Sequence, residues 1–259
     1  MELLALPAFT DNYIWLLHDG QQALVVDPGD AAPVLDTLQQ CRLTLTAILV
    51  THYHPDHTAG LHALQSDHTQ VYGPRHESID GLTQRVGEGD VIQWAGLNIQ
   101  VLDTPGHTAG HIAYLVPPEP DQSLPDPTAF VGDTLFSAGC GRLFDGTMAQ
   151  LYASLTRLKH FFPDATRICA AHEYTLSNLR FAKAVEPHNL DIGAYQAHCE
   201  ALRARALPTL PGTMRDEKAI NPFLRCTEPE VVSSALQHGA KDASPEAVFA
   251  ALRLWKNTF

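Results

Sequence analysis

Four separated segments of the chain carry side chains that bind metal ions in many proteins. Their seven candidate ligands are His52, His54, Asp56, His57, His107, Asp133 and His172. Imidazole nitrogens and carboxylate oxygens are common ligands of zinc, iron and manganese. Five imidazoles and two carboxylates are too many for one tetrahedral ion, but they suit two neighbouring ions that share a bridging carboxylate. The sequence therefore predicts a two-metal centre.

Each of these segments follows an apolar run that is typical of a buried β-strand. The runs span residues 45–50, 99–102, 128–131 and 168–171. Loops at the carboxyl ends of strands are a usual place for functional sites in layered α/β folds. Pro55 disfavours the helical region for His54, so His52 and His54 can face one ion while the next two ligands face a second.

The pattern of elements divides the chain into two parts. In residues 1–172, short strands alternate with helices predicted over 32–40, 58–65 and 147–162, which indicates two packed sheets flanked by helices. The Pro-rich segment 117–127 is predicted to be a surface loop. From about Thr175 the strand pattern ends, and helices are predicted over 177–185, 191–206, 229–238 and 244–255. We therefore predict a metal-binding domain over 1–172 and a helical substrate-binding domain over 173–259.

The composition narrows the class of protein. The chain has 259 residues, of which 45% are hydrophobic and 18% charged, as in a globular protein with a sizeable core. The formal net charge is −12 and no long Lys or Arg cluster is present, so we expect no nucleic-acid partner. The five cysteines are dispersed without a CxxC pair, and no signal peptide or membrane segment is visible. We expect a cytoplasmic monomer that does not contact a membrane.

The motifs resemble those of the metallo-β-lactamase superfamily and, within it, the glyoxalase II (hydroxyacylglutathione hydrolase) family. The resemblance runs from about Phe9 to Phe259, and its motifs are VDPG, THYHPDH, TPGHTAGH, GDTLFSAGCGR and AHEYT. The AHEYT segment and the tail RLWKNTF narrow it to glyoxalase II. It implies an α/β (α+β) fold, the αββα sandwich of the superfamily, with a helical C-terminal domain.

The resemblance also implies a role for each candidate ligand. One ion is expected on His52, His54 and His107, and the other on Asp56, His57 and His172. Asp133 is expected to bridge the ions, and Asp133 and Asp56 are the residues expected to serve catalysis. The implied cofactor is two divalent ions, zinc first, with iron or manganese as alternatives.

The implied reaction is hydrolysis of the thioester of S-(2-hydroxyacyl)glutathione, which converts S-D-lactoylglutathione to glutathione and D-lactate in methylglyoxal detoxification. Water shared by two divalent ions loses a proton near neutral pH, and the resulting hydroxide attacks the thioester carbonyl. The leaving thiolate has a conjugate acid with a pKa of roughly 8.5, so little help from a general acid is needed.

Residues for binding the glutathione part are also implied by the resemblance. They are Arg142, Tyr174, Arg253 and Lys256. From the residues alone, Arg253 and Lys256 share a face of the last helix at i,i+3 spacing, which also fits a solvated helix end. Some relatives carry Tyr where Phe144 stands here, so a hydroxyl contact is expected to be missing at that position.

The neighbouring residues have simpler interpretations. His111 is expected to support a ligand and not to bind metal itself. Asp27 is interpreted first as a turn former and second as a hydrogen-bond acceptor for a ligand. Cys140 lies near the ligands in sequence, but no adjacent motif marks it as a nucleophile.

Three other functions remain open at this point. An iron-dependent persulfide dioxygenase would use only two His and one Asp on a single iron, which leaves the other ligands unexplained. A lactonase or β-lactamase would cleave a different bond and would not need the cationic tail. A non-enzymatic metal-binding or RNA-processing protein is opposed by the acidic charge and the full ligand set.

Overall fold

The computed structural model describes residues 1–118 and 124–259. Within them, fourteen strands form two six-stranded sheets and one small ribbon. The strands are β1 (Glu2–Ala8), β2 (Asn12–His18), β3 (Gln22–Val26), β4 (Thr44–Leu49), β5 (Gln70–Pro74), β6 (Gln84–Val86), β7 (Val91–Trp94), β8 (Leu97–Asp103), β9 (Ile112–Val116), β10 (Thr128–Gly132), β11 (Leu135–Phe136), β12 (Gly139–Cys140), β13 (Arg167–Ala170) and β14 (Gly212–Thr213).

Helices cover the sheets and make up most of the C-terminal region. They are α1 (Ala32–Cys41), α2 (Pro55–Thr58), α3 (Leu61–Leu64), α4 (Met148–Phe161), α5 (Thr175–Val185), α6 (Leu190–Arg203), α7 (Met214–Ile220), α8 (Pro229–Gln237) and α9 (Pro245–Thr258), with a 3-10 turn at Pro222–Leu224. Among the described residues, no helix has the length and apolar character needed to cross a membrane.

The first sheet separates two hydrophobic clusters. It has the order β1-β2-β3-β4-β5-β6. Along β2, Tyr13 and Trp15 belong to the large cluster shared with the second sheet, whereas Ile14 and Leu16 belong to a smaller cluster with Val34 of α1. Successive side chains of a strand point to opposite faces. The sheet is therefore buried on both faces, as a layer of a helix–sheet–sheet–helix sandwich requires.

The second sheet aligns the carboxyl ends of three strands. Its order is β14-β13-β10-β9-β8-β7, with β10 parallel to β13 and β9 antiparallel to both β8 and β10. Strands β8, β10 and β13 therefore run in one direction and end at one edge. The Tyr114 hydroxyl donates to the Val50 carbonyl at 2.7 Å, which brings the end of β4 to the same edge.

Local sequence signals explain several helix boundaries and correct one prediction. Thr147 caps α4 in a capping box with Gln150. The helix predicted over 58–65 is instead two short helices, because Pro55 occupies the first turn of α2 and starts it three residues earlier. His54 is extended at φ −60° and ψ 145°, as predicted from Pro55.

The C-terminal region departs from the predicted pattern in two places. Strand β14 pairs with β13, so the expectation that strands end near Thr175 is wrong. Helix α7 was not predicted, although Thr213 and Asp216 form a capping box at its start. Of the predicted loop 117–127, residues 119–123 lie outside the described residues. The proposed boundary at residue 172 stays a prediction.

Candidate metal centre

The seven predicted ligands lie together at the shared edge of the two sheets. His52 and His54 follow β4, and Asp56 and His57 lie in the first turn of α2. The remaining three follow strands of the second sheet, and they are His107, Asp133 and His172. A Cβ at Gly29 would lie 1.9 Å from the Asp56 carbonyl oxygen, so only glycine lets the 27–29 turn pack under α2.

Hydrogen bonds fix which nitrogen of His52 and His107 faces the centre. The Thr51 hydroxyl donates to Asp27 at 2.8 Å, so it accepts at 3.1 Å from Nδ1–H of His52. Nδ1–H of His107 donates to the Arg142 carbonyl at 2.7 Å. In both residues the lone pair is therefore on Nε2, the atom that points into the cluster.

The same arrangement orients His57 and His172. Nδ1 of His57 lies 3.1 Å from Oδ2 of Asp27, and Nδ1 of His172 lies 2.9 Å from Oδ1 of Asp11. A carboxylate on Nδ1 orients each ring so that Nε2 points into the cluster. Burial lowers the pKa of both imidazoles, but Asp133 and the other carboxylates outweigh it and raise the pKa. A divalent cation at this position would take the place of the proton on Nε2. Asn12 donates to Asp56 at 3.1 Å, which positions that carboxylate between these two imidazoles.

Three overlapping ligand groups are present among the described residues: two outer groups, and a third made of His52, His57 and Asp133 that connects them. The ligand atoms of His52, His54 and His107 all lie within 4.8 Å of one another, and so do those of Asp56, His57 and His172. Nδ1 of His54 lies 2.9 Å from Nε2 of His52 and 3.1 Å from Nε2 of His107. Since two of these nitrogens carry lone pairs fixed toward the third, a cation among them satisfies all three.

Asp133 lies between the two groups. Its Oδ2 is 3.4 Å from Nε2 of His107, while its Oδ1 is 3.3 Å from Nε2 of His172 and 3.5 Å from Nε2 of His57. Burial alone would raise the pKa of Asp133, but His57 and His172 outweigh it and hold the pKa well below its usual range. The carboxylate is therefore ionised and has one oxygen on each side.

The electrostatics and the unsatisfied atoms fit a pair of divalent cations. Burial, followed by the nearby His57 and His111, holds the pKa of His52 well below its usual value, so this imidazole is neutral and able to bind metal. Among the described residues, Nε2 of His57 and Oδ1 of Asp133 are buried without a hydrogen-bond partner. Buried polar atoms without partners are costly, and cations between the two groups would remove that cost.

His111 supports this centre and is not placed to bind a cation. Its Nε2 accepts from the Asp133 backbone N–H at 3.1 Å, so Nδ1 carries the proton and faces the Thr104 hydroxyl at 2.9 Å. Both nitrogens are thus occupied, as the sequence interpretation expected. Gly132 lets this ring approach closely, because a Cβ there would lie 2.7 Å from Nε2 of His111.

Sequence reasoning missed or undervalued three supporting residues. Asp27 has a turn conformation at φ 54°, but its carboxylate also accepts from the Thr51 N–H at 2.7 Å and contacts His57. Asp27 therefore serves both as the turn former and as the acceptor that the sequence analysis gave as its second interpretation. Asp11 and Asn12 were not predicted, because they lie at the end of the β1–β2 turn and the start of β2, far in sequence from the ligands that they contact.

A cavity of about 650 Å³ opens over this centre. All four residues predicted for substrate binding line it together with His54, Asp56, His107, Asp133 and His172; they are Arg142, Tyr174, Arg253 and Lys256. Sequence reasoning missed Ser177, Asn178, Arg180 and Asn257, which also line it. The Tyr174 ring stacks on His172 with centroids 4.8 Å apart, so the cavity begins at the metal centre.

Arg253 and Lys256 differ in how freely they face the cavity. Arg253 is only 3% exposed, and its guanidinium donates to the carbonyls of Cys140 at 2.8 Å and Gly141 at 3.3 Å. Lys256 lies 5.0 Å from the centre of the Phe181 ring. Burial and the nearby Arg253 lower the pKa of Lys256 to about 8. Because it donates to the Cys140 and Gly141 carbonyls, Arg253 also holds in place the loop that carries Arg142.

Phe144 and Cys140 complete the wall of the cavity. The Phe144 ring lies edge-on to His54 at 4.5 Å and to His107 at 5.0 Å between centroids. Burial raises the pKa of the Cys140 thiol, which disfavours the thiolate that a nucleophile needs. Both are consistent with walls of the cavity and not with reacting groups.

Comparison with known proteins identifies the family. Residues 8–172 match the family model of the metallo-beta-lactamase superfamily, and residues 173–259 match that of the hydroxyacylglutathione hydrolase C-terminus. A relative from Albidiferax ferrireducens, described as a hydroxyacylglutathione hydrolase, is 53% identical over 100% of both chains. This chain belongs to the hydroxyacylglutathione hydrolase family. The resemblance to glyoxalase II, inferred from the sequence motifs, is confirmed.

Solved structures agree on the fold of this family member. The crystal structure of ETHE1 from Myxococcus xanthus is 25% identical, with a TM-score of 0.65 over 100% of this chain and 99% of that one. A second neighbour, crystallised in a di-iron-bound form, is 27% identical, with a TM-score of 0.51 over 66% of this chain and 92% of that one. The predicted αββα sandwich with a helical C-terminal region is confirmed.

Proposed function

We propose that this chain hydrolyses the thioester of S-(2-hydroxyacyl)glutathione, taking S-D-lactoylglutathione to glutathione and D-lactate in methylglyoxal detoxification. The observation that carries the proposal is one cavity that joins the His/Asp cluster to Arg142, Arg253 and Lys256. Glutathione carries two carboxylates, and the net charge of the chain is −12. Locally concentrated cations are therefore needed to hold such a ligand. The names of the family's members support the same substrate.

The ligand assignment implied by the family resemblance is supported by the two outer groups described above. His52, His54 and His107 would hold one ion, and Asp56, His57 and His172 the other, with Asp133 between them. When bound, two divalent ions supply Lewis acidity and a water that is acidic enough to react near neutral pH. Zinc is the proposed metal, with iron or manganese as alternatives, since this donor set suits all three.

The side chains of the centre would position and hold charge during the reaction. Asp133 and Asp56 would stay ionised and balance the cations, since the pKa of each lies well below its usual range. Burial favours a raised pKa for Asp56, but its hydrogen bonds and charge interaction with His57 prevail. His107 and His172 would keep their orientation through the Arg142 carbonyl and Asp11. Such pre-organisation lowers the reorganisation needed in the transition state.

The substrate would lie along the cavity with its sulfur at the metal end. Tyr174, stacked on His172, would contact the part nearest the thioester. Arg142 and Lys256 would attract carboxylates of the glutathionyl group, and Arg253 would both attract them and hold the 140–141 loop in place. The thiolate product leaves without a strong general acid because its conjugate acid has a pKa of roughly 8.5.

Turnover measured together with metal content tests the proposal. Purified protein supplied with divalent metal should hold two ions per chain and cleave S-D-lactoylglutathione, with release of free thiol and no oxygen uptake. One iron per chain with oxygen consumption would instead identify a dioxygenase. Turnover of lactones but not of thioesters would identify the other hydrolase class. The cytoplasmic location and the monomeric state remain part of the proposal, and gel filtration tests the latter.

A further inference from the structure

Arg180 is a cation of the cavity wall that the ligand assignment above does not use. It is exposed and lines the cavity. Across residues 1–118 and 124–259, its guanidinium makes neither an ion pair nor a hydrogen bond. Other arginines behave differently, since Arg75, Arg157 and Arg225 lie 2.5, 2.6 and 2.9 Å from carboxylate oxygens. In a chain with 29 acidic residues, an unpaired arginine in a cavity is available for an anion from solution.

The cations of the cavity lie close enough to repel one another. The pKa of Lys256 is lowered to about 8, first by burial and then by the charges of Arg253, Arg180 and Arg142. Like charges gathered in one cavity destabilise each other unless an opposite charge joins them. A ligand carboxylate in this cluster would relieve that repulsion, and Arg180 would share in the gain.

Helix α5 places Arg180 on the cavity wall beyond Tyr174. Tyr174 precedes the first residue of α5, and Tyr174, Ser177 and Arg180 all line the cavity. Their spacing of three residues puts them on one face of the helix. At 1.5 Å per residue, Arg180 lies about 9 Å further along the axis than Tyr174. Since Tyr174 stacks on His172, Arg180 lies on the cavity wall about two turns of α5 beyond the residue that contacts the metal centre.

The chemistry of glutathione indicates which of its carboxylates fits that position. The γ-glutamyl carboxylate shares its carbon with an ammonium group, which a cluster of cations repels. The glycine carboxylate has no positive neighbour and ends an arm of two backbone residues, which spans about 7 Å when extended. We propose that Arg180 binds the glycine carboxylate of the glutathionyl group and thereby contributes to specificity for glutathione thioesters. This inference rests on the proposed function.

A comparison of two neighbouring cations on the same helix tests the inference. Lys183 is exposed on α5, one turn beyond Arg180, and does not belong to the described cavity wall, so Lys183→Ala removes the same charge without touching the cavity. With S-D-lactoylglutathione, Arg180→Ala should raise KM about five- to tenfold and leave kcat within about twofold. Arg180→Lys should recover part of the loss, and Lys183→Ala should leave KM unchanged.

A modified substrate separates contact with the carboxylate from a general effect on the fold. The glycine ethyl ester of S-D-lactoylglutathione should have a raised KM with the wild-type enzyme, and Arg180→Ala should add little further increase with this ester. Equal KM values for Arg180→Ala and Lys183→Ala would overturn the inference, as would a full Arg180→Ala effect on the ester. Absence of wild-type turnover with any glutathione thioester would overturn the proposed function itself, and the inference with it.

Discussion

The carboxylate of Glu217 accepts a hydrogen bond from the backbone N–H of Ala138 at 2.9 Å. Ala138 lies in the tight loop between β11 and β12 with φ 53°. Asn221 reinforces the contact by donating to Glu217 at 2.9 Å and to the carbonyls of Phe136 at 3.2 Å and Gly139 at 2.9 Å. Helix α7 thus holds the loop that leads into the cavity wall.

Glu217 predicts a pH dependence of stability. Burial raises its pKa from 4.5 to about 7, against the opposing hydrogen bonds from Asn221 and Ala138, while the charge of Asp216 adds to the rise. The folded state therefore favours the protonated form. Protonated Glu217 therefore adds to the free energy of unfolding. This stabilisation is fully present below about pH 4.5 and is lost as the pH rises through about 7. At about 1.4 kcal/mol per pKa unit, the loss is on the order of 3 kcal/mol.

Urea unfolding of Glu217→Gln tests this effect. The amide of the variant stays neutral at every pH. Its free energy of unfolding should therefore rise relative to wild type between pH 5 and pH 8.5, by up to about 3 kcal/mol. Parallel stability–pH curves for the two proteins would show that Glu217 titrates normally. Glu200→Gln, an exposed change on α6, serves as the control and should leave the curve unaltered.

Asp133 is predicted to hold both ions at once. Because its two oxygens face different ligand groups, Asp133→Ala should reduce the metal content from two ions per chain to one or fewer and remove most of kcat. Elemental analysis gives the metal content independently of activity. Two ions retained at wild-type affinity would exclude the bridging position.

Asp27 is predicted to strengthen metal binding through His57. Its carboxylate orients the His57 ring, so Asp27→Asn should weaken binding of the ion on that side by about 10- to 100-fold. Competition with a chelator measures the change. Asp36→Asn on the exposed face of α1 is the matched control, and equal affinities for the two variants would contradict the prediction.

Lys256 and Arg253 are predicted to respond differently to truncation. Lys256→Ala should raise KM for glutathione thioesters far more than it lowers kcat. Arg253→Ala should raise KM as well, but it also removes the bonds to Cys140 and Gly141 and should destabilise the fold by about 1–3 kcal/mol. Steady-state kinetics measures the loss of substrate binding in each variant, and thermal unfolding measures the loss of fold stability. An unchanged KM for both variants would mean that the tail does not bind substrate.

The sequence predicted best where strands and ligands are neighbours in the chain. Each apolar run that precedes a ligand segment is a strand, and His54 has the extended conformation that Pro55 imposes. Burial on both faces makes such strands easy to detect, because their side chains are continuously apolar. The pattern of apolar residues predicted two packed sheets flanked by helices. The αββα order of these layers was predicted from the family resemblance.

The contacts that sequence reasoning missed join distant parts of the chain. Asp11 is 161 residues from His172, and Glu217 is 79 residues from Ala138. No local pattern marks either acid, since each acquires its role only when the folded chain brings its partner close. Strand β14 was missed for a related reason, because two residues are too short to show alternation.

All seven metal-site candidates precede residue 173, whereas Tyr174, Arg180, Arg253 and Lys256 follow it, and Arg142 is the one proposed substrate contact on the earlier side. The residues proposed for the reaction and most of those proposed for binding glutathione therefore lie in successive parts of the chain. Substitutions in the later part could favour a different thiol carrier while the metal site in the earlier part stays unchanged. Arg253, which donates to the carbonyls of Cys140 and Gly141, connects the two parts, so a change of ligand has to preserve this contact.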